Sequence, residues 1–399
     1  MTRPRDTSRL STGGDRGTPP DGGRRRIGYY VHHVGTGHLT RAIAILAEME
    51  APATVLTSLD LDPGRLPDGV DHLRLPPDVG DRPDPPDPTA GGALHWAPLA
   101  PELLGPRTRV MVEFLTRPDV AALVCDVSTE AVLLARLCGV VPIAVRQLGD
   151  RTDPAHELAW RAAVGILAPF PAALDHPTAE LRQDGPRRCP APTPTFHAGF
   201  VTAARSLPRP SSAWLALGLE ERATLVVAIG GGGTDFGAAM ALAAAAELPD
   251  WQVVVIGAAA PTALPRASEH RVRFDGWVDD AGLHLAAADV VVASAGSNLV
   301  AEVAMAARPL IAVAERRPFE EQLRRVEGLD RLGVAVGLPK WPSGDAWPQL
   351  VSRARSLGGD RLRALAGGTT PADCARWIVA TAEAALFPDT PDTPEGSVR

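Results

Sequence analysis

The sequence predicts an α/β protein made of two Rossmann-like domains that face each other across a central cleft. Three observations carry that expectation. Short apolar runs alternate with helix-compatible or turn-rich segments, several of those runs end in glycine-containing loops, and a Pro/Ser segment, Leu207-Pro208-Arg209-Pro210-Ser211-Ser212, separates two such series. Strands that alternate with helices form parallel sheets covered on both faces, and strands so covered are apolar throughout.

In the first series the run Ile27-Gly28-Tyr29-Tyr30-Val31 reads as the opening strand. A loop follows, then a helix with Leu39, Ile43 and Leu46 on one stripe. Apolar runs at 53–56, 120–125 and 140–145 supply further strands. The Pro-rich stretch from Pro76 to Pro106 interrupts the pattern and carries an apolar tip, Leu94-His95-Trp96, which reads either as a lid or as a surface loop.

The second series gives strands at 225–229, 253–256, 290–293 and 310–313. Helices are expected at 238–248, which is rich in alanine, and at 281–287, 299–306 and 372–386. The expected division is therefore an N-terminal extension over 1–26, a first domain over 27–206, a linker at 207–213, a second domain over 214–370, a C-terminal helix over 371–387 and a tail over 388–399. The extension and the tail have the composition of disorder.

Composition narrows the function. Of 399 residues 45% are hydrophobic and 22% charged, and no stretch approaches the roughly 20 apolar residues of a membrane-spanning helix. A net charge of -7 argues against nucleic acid as a partner. Cys125, Cys138, Cys189 and Cys374 form no C-x-x-C pair, so no metal knuckle or redox pair is expected and a reducing, cytoplasmic setting fits. Asp60-Leu61-Asp62 has the D-x-D form of some metal sites, but its neighbour Pro63 makes it read as a surface turn. Neither a metal nor a cofactor is expected.

In open parallel sheets ligands bind beyond the carboxyl ends of the strands, so the informative residues lie in the loops that follow strands. The first such loop is Gly35-Thr36-Gly37-His38-Leu39-Thr40-Arg41. Its glycines let a ligand approach the backbone, and His38, in the first turn of a helix, sits where the dipole favours a neutral imidazole able to act as a base. His38 also reads as a local cap. Asp126 closes its strand at the cleft-facing end and reads either as a rival base or as a helix cap. Arg146 follows another strand and would line the same side.

In the second half Gly230-Gly231-Gly232-Gly233-Thr234-Asp235 follows a buried strand and reads as a phosphate cradle, or as a tight turn with Asp235 as the cap. It lacks the G-K-[ST] ending of a Walker loop. Ser294-Ala295-Gly296-Ser297-Asn298 opens a helix after another strand and offers N–H groups to an anion. Glu302, one turn further on, reads either as a ligand for sugar hydroxyls or as an acid favoured by the helix start. Trp277 reads as a stacking surface or as a core residue.

The order of these elements resembles the two-domain GT-B glycosyltransferases: a Gly-rich loop with His38, a second Gly-rich loop, Trp277-Val278-Asp279-Asp280, Ala288-Asp289-Val290-Val291, Ser294-Ala295-Gly296, Glu302 and Glu321-Gln322. Within them it is most similar to the family 28 group that contains the peptidoglycan N-acetylglucosaminyltransferase. The match runs from Trp277 to about Val336, and in the first half from Gly35 to Ala42. Arg41 and Arg325 stand where that group has Pro and Asn, and the first loop lacks paired glycines directly before His38.

The resemblance implies a UDP-sugar donor. Trp277 would face the uracil, with the Val278 backbone at its edge. Gly231, Gly232, Gly233 and Thr234, together with Ser294, Gly296, Ser297 and Asn298, would hold the diphosphate. Glu302 would bind the ribose, and Glu321 and Gln322 the sugar. Gly35, Gly37, His38, Arg41 and Arg146 would lie on the acceptor side. The implied reaction is a metal-independent, inverting transfer of a hexosyl or N-acetylglucosaminyl group to a hydroxyl, with His38 or Asp126 as base. The tip at Trp96 permits a lipid-linked acceptor and peripheral contact with the inner face of a membrane. A UDP-sugar 2-epimerase and a non-catalytic nucleotide-sugar binder are the alternatives.

Overall fold

The structure is a computed structural model that describes residues 25–33, 37–80, 85–175, 193–202, 210–230, 236–262, 271–278 and 280–387. Two sheets organise it. The first has seven strands: β1 (Arg26–Val31), β2 (Ala53–Thr57), β3 (Val70–Arg74), β4 (Val120–Asp126), β5 (Val141–Val145), β6 (Gly165–Ala168) and β7 (Thr195–His197), in the order β3-β2-β1-β4-β5-β6-β7. The second has six: β8 (Thr224–Ala228), β9 (Gln252–Ile256), β10 (Val272–Gly276), β11 (Val290–Ser294), β12 (Leu310–Val313) and β13 (Val336–Leu338), in the order β10-β9-β8-β11-β12-β13. Every pairing in both sheets is parallel. In each sheet the chain starts near the middle, runs to one edge, then returns to fill the other side, so a switch in strand order lies beside β1 and beside β8.

The central strands are buried along their whole length, as in β2, β4, β5, β8 and β9. Helices cover both faces. The first sheet carries α1 (Gly37–Leu46), α2 (Pro101–Leu115), α3 (Thr129–Leu137) and α4 (Pro154–Ala162); α5 (Pro210–Leu217) follows the domain crossing. The second sheet carries α6 (Ala238–Ala246), α7 (Gly282–Ala287), α8 (Ser297–Met305), α9 (Glu321–Arg331), α10 (Trp347–Leu357) and α11 (Asp360–Ala366). The last helix, α12 (Pro371–Leu386), opens with a capping box between Thr370 and Asp373.

Three local expectations change. Residues 203–209 of the expected linker lie outside the described set, while 210–213 belong to α5. The Pro76–Pro106 stretch is not wholly irregular: α2 begins inside it at Pro101 and keeps Pro106 in its interior. Trp96 is not a free tip, because its indole Nε1 donates to the Asp78 carbonyl at 2.6 Å and its backbone N–H, with that of His95, is taken by Glu130. Asp60 and Asp62 do form a surface turn, with Asp62 accepting the Gly64 N–H.

The two domains share a core. Leu148, Phe170, Leu174 and Phe200 of the first domain pack in one buried cluster with Val326, Leu329, Leu362 and Ala366 of the second. Close backbone approach accompanies this packing, since Phe200 N–H donates to Ala366 O at 3.2 Å. Helix α12 then leaves the second domain and packs Cys374, Ala375, Ile378 and Ala382 into the core of the first. Trp377 stacks on Phe196 at 5.3 Å. Among the described residues no helix is long and apolar enough to cross a membrane.

Gly257 ends β9 with φ 85°, and a Cβ there would collide with the Ile229 carbonyl. Gly257→Ala is therefore expected to destabilise the second domain by about 2 kcal/mol or more, since a side chain would meet both strain and backbone contact. Urea unfolding followed by tryptophan fluorescence checks this, and an unchanged midpoint would refute the packing described.

Candidate functional site

The site is built from loops at the carboxyl ends of β1, β4, β5, β11 and β12. Strand β1 delivers the loop that starts α1, and β4 ends on Asp126. Val127, directly after it, has φ 63°, a conformation a β-branched residue adopts only under strain. Ser128 then caps α3, its hydroxyl accepting the Ala131 N–H at 3.1 Å. Ser128 rather than Asp126 is thus the cap, which leaves the aspartate to other partners.

Those partners are His38 and Arg41, one turn apart on α1. Asp126 is fully buried and accepts from Arg41 Nη2 at 2.7 and 2.9 Å, one contact to each carboxylate oxygen. His38 Nδ1 lies 3.0 Å from Asp126 Oδ1 and 3.1 Å from Arg41 Nη2. The carboxylate and the guanidinium make opposite demands on Nδ1. Burial pushes the Asp126 carboxyl up, but Arg41 and then His38 outweigh it and hold it at about 2, so it only accepts. Arg41 only donates. His38 Nδ1 can thus give a hydrogen to Asp126 or accept one from Arg41, and in the first tautomer Nε2 is left as the acceptor on a side chain that is 23% exposed.

More histidine surrounds this pair. His32 is pushed down to about 4 by burial, with His33 and His38 adding to the effect. Arg107 reaches the same end of the sheet, donating to Tyr30 Oη at 2.8 Å and Ser58 Oγ at 2.6 Å. Arg146, expected on the acceptor side, is paired with Asp175 and lies over the Trp160 and Phe170 rings at 5.7 and 5.3 Å.

Across the cleft, Ser294 ends β11 and Gly296 precedes α8 as its N-cap. Asn298 in the first turn reaches the first domain, donating from Nδ2 to the Gly37 carbonyl at 3.2 Å. Arg325, only 1% exposed, lies under this loop: it donates to Ala295 O, to Ser297 Oγ at 2.8 Å and to Glu321 Oε1 at 2.9 Å. Gln322 is buried and accepts the Glu315 N–H at 2.9 Å. Trp277 is 63% exposed, so it is not a core residue, and Val278 beside it packs on the shared core. Burial, together with the Asp280 charge, raises the Glu302 carboxyl to about 7. Gly35 and Gly231, Gly232, Gly233 and Thr234 lie outside the described residues.

The structure thus brings together His38, Asp126 and Arg41, and separately Ser294, Ser297, Glu321 and Arg325, with Asn298 joining the two sets. Arg41 and Arg325 are the residues whose contacts the sequence did not announce. Each departs from the pattern the sequence resembles, and each turns out to be a buried cation beneath a candidate site loop.

One group of the described residues has ligand atoms close enough for a cation: His95, Asp153 and His156. Its distances are those of hydrogen bonds, 2.7 Å from His95 Nε2 and 2.5 Å from His156 Nδ1 to the Asp153 carboxylate. Arg151 Nη1 stands 3.0 Å from His156 Nε2. A guanidinium at that place makes Nε2 an acceptor and opposes a dication, so the group suits imidazoles that donate to a carboxylate.

No family model matches the chain, and no curated protein matches it. Solved structures do. UGT2 of Phytolacca americana, described in complex with UDP-2fluoro-glucose and pterostilbene, superposes with a TM-score of 0.62 at 15% identity, over 90% of this chain and 99% of that one. UGT89C1 of Arabidopsis thaliana gives a TM-score of 0.59 at 17% identity with the same coverage. MurG of Acinetobacter baumannii gives 0.55 at 15%, again over 90% and 99%. Together with the two parallel sheets, these likenesses show the GT-B fold, two Rossmann-like domains about a cleft.

Replacing Asp126 by alanine would strand the buried Arg41 cation, and the expected loss is about 3 to 5 kcal/mol. Pairing it with Arg41→Leu should return much of that loss in urea unfolding; a double variant no more stable than Asp126→Ala would contradict the ion pair. The pH dependence has a definite sign. The folded carboxyl value lies below the unfolded one, so the pair's contribution is complete above about pH 4 and is lost as pH falls through about 2.

Proposed function

We propose that the protein is a glycosyltransferase that moves a hexosyl group from a UDP-sugar to an acceptor hydroxyl. The observation that carries this reading is the His38–Asp126 pair: an imidazole whose Nδ1 lies 3.0 Å from a buried carboxylate at the cleft-facing end of β1, so that with the hydrogen on Nδ1 the other nitrogen takes the incoming proton. Such an arrangement suits general-base removal of a proton from an attacking hydroxyl. Of the two candidate bases, His38 takes the proton, and Asp126 orients the ring and stabilises the imidazolium. Asp126 itself is a poor base, because both its oxygens are already engaged by donors and it is fully buried.

The hydroxyl oxygen attacks the anomeric carbon as the bond to UDP breaks, so the proton ends on His38 Nε2 and the electron pair on the leaving diphosphate. A single displacement of this kind inverts the anomeric centre. The N-terminus of α8, from Ser297, supplies N–H donors for the leaving group, and the buried Arg325 adds positive charge beneath that loop. Exposed Trp277 is available for the uracil face, Glu302 for the ribose hydroxyls, and Glu321 and Gln322 for the transferred sugar. The glycine loop at 231–234 would complete the diphosphate site. N-acetylglucosamine is among the hexosyl groups this reading admits, and the acceptor is a molecule with a nucleophilic hydroxyl.

Incubation with UDP-sugars and a panel of hydroxyl acceptors, analysed by mass spectrometry, tests the proposal. Transfer with release of UDP supports it. Conversion of the sugar to an epimer without an acceptor, or a preference for purine nucleotides in a thermal-shift screen, would overturn it.

His38→Ala is expected to lower turnover by about 10²- to 10⁴-fold while leaving UDP affinity within a factor of about two. Isothermal titration alongside initial rates separates those effects, and unchanged turnover would remove His38 from the mechanism. A second outcome concerns Glu302, whose carboxyl is raised to about 7 by burial and the Asp280 charge. Only the ionised form accepts hydroxyls on both oxygens, so UDP-sugar affinity should rise as pH increases from about 6 to 8. Glu302→Gln should flatten that dependence, and an equally steep profile in the variant would reassign it.

A further inference from the structure

The segment between β12 and α9 crosses from the second domain to the first. Phe319 and Glu320, at its tip, have φ values of 58° and 53°. Two adjacent left-handed residues with side chains are strained, and such a turn persists only where its surroundings hold it. Here the surroundings belong to the other domain. The Phe319 carbonyl accepts the Asp150 N–H at 2.7 Å, and Gly149, with φ 120°, lies so close to that carbonyl that a Cβ on it would collide. The Phe319 ring meets three separate parts of the first domain: His95 of the 76–106 stretch at 5.3 Å, His156 of α4 edge-on at 4.8 Å, and the Arg151 guanidinium, which lies over the ring at 4.8 Å.

The seat of the ring is itself braced. Asp153 caps α4 and accepts from both imidazoles, while Arg151 donates to His156 Nε2 and, from Nε, to the Gln147 and Leu148 carbonyls. On the other side of the turn, Glu321 follows two residues after Phe319. Its Oε1 accepts from Arg325 at 2.9 Å, and its Oε2 stands 3.8 Å from Arg151.

We propose that Phe319 is a positioning residue: its docking in the first domain holds the strained turn that presents Glu321 and Gln322 to the sugar of the donor. The sugar-contacting role of Glu321 and Gln322 rests on the function proposed above, whereas the docking of Phe319 does not. Formation of the sugar subsite thereby depends on the two domains being in register, while the nucleotide subsite lies wholly within the second domain.

Two measurements on the full chain test this, with Phe319→Ala and the conservative Phe319→Tyr. Without ligand, amide hydrogen exchange at Asp150 should speed up at least tenfold in Phe319→Ala and return towards the wild-type rate in Phe319→Tyr. With ligand, calorimetry should show UDP affinity within about twofold of wild type and UDP-glucose affinity reduced at least tenfold in Phe319→Ala. Gly149→Ala, which pushes on the same carbonyl from the first domain, should reproduce the loss and serves if Phe319→Ala does not fold. Unchanged exchange at Asp150, or equal losses for UDP and UDP-glucose, would overturn the proposal. A wild-type chain that binds neither ligand would instead refute the donor reading and with it the sugar-positioning role, leaving the exchange result to decide the docking.

Discussion

A single apolar core runs from one sheet to the other, and the alignment of the two loop-bearing edges depends on it. Leu148, Phe170, Leu174 and Phe200 on one side and Val326, Leu329, Leu362 and Ala366 on the other exclude water from a shared surface. Burial of such side chains contributes roughly 25 cal/mol per Å² of apolar surface, with no preferred direction. Direction comes from close backbone approach. The carbonyl of Ala366 against Gly199 and Phe200, and Leu174 against the bare Cα of Gly328, leave little freedom to slide. With this register set, the ends of β1 and β4 come to face the ends of β11 and β12.

The polar site follows the opposite logic. Each domain contributes a buried cation, Arg41 or Arg325, tied to a carboxylate and lying beneath a loop. Neither is free to bind a ligand as an exposed charge. Arg41 keeps Asp126 ionised in a place where burial alone would neutralise it, and so preserves the acceptor that orients His38. Arg325 holds the opening of α8 through Ala295 and Ser297. The strained φ of Val127, between Asp126 and the Ser128 cap, belongs to the same construction: the turn is tight because the aspartate must sit at the strand end and the helix must begin at once.

The central strands were legible because burial on both faces leaves an uninterrupted apolar run, as at 225–228 and 290–293. Edge strand β3 was not, since its sequence Val70-Asp71-His72-Leu73-Arg74 is half exposed and mostly polar. Helix α2 was masked by Pro101, which costs no hydrogen bond at the first helical position, and by Pro106, which gives one up in the interior. At the site, His38, Asp126 and Ser297 could be singled out because a loop after a strand is a local pattern, and Glu321 only through the resemblance. The ion pair of Arg41 with Asp126, 85 residues apart, and the seating of Phe319 among His95, Arg151 and His156 have no local signature. They arise only when distant strands become neighbours.

The return of α12 to the first domain has a mechanical consequence. The second sheet is joined to the first by two covalent crossings, one between 202 and 210 and the other between Ala366 and Pro371. A body tethered twice pivots about the line through its tethers and resists twisting across it, as a door on two hinges does. Any motion that separated the ends of β1 and β11 would therefore be confined to one arc, and its reversal would return the same atoms to the same places.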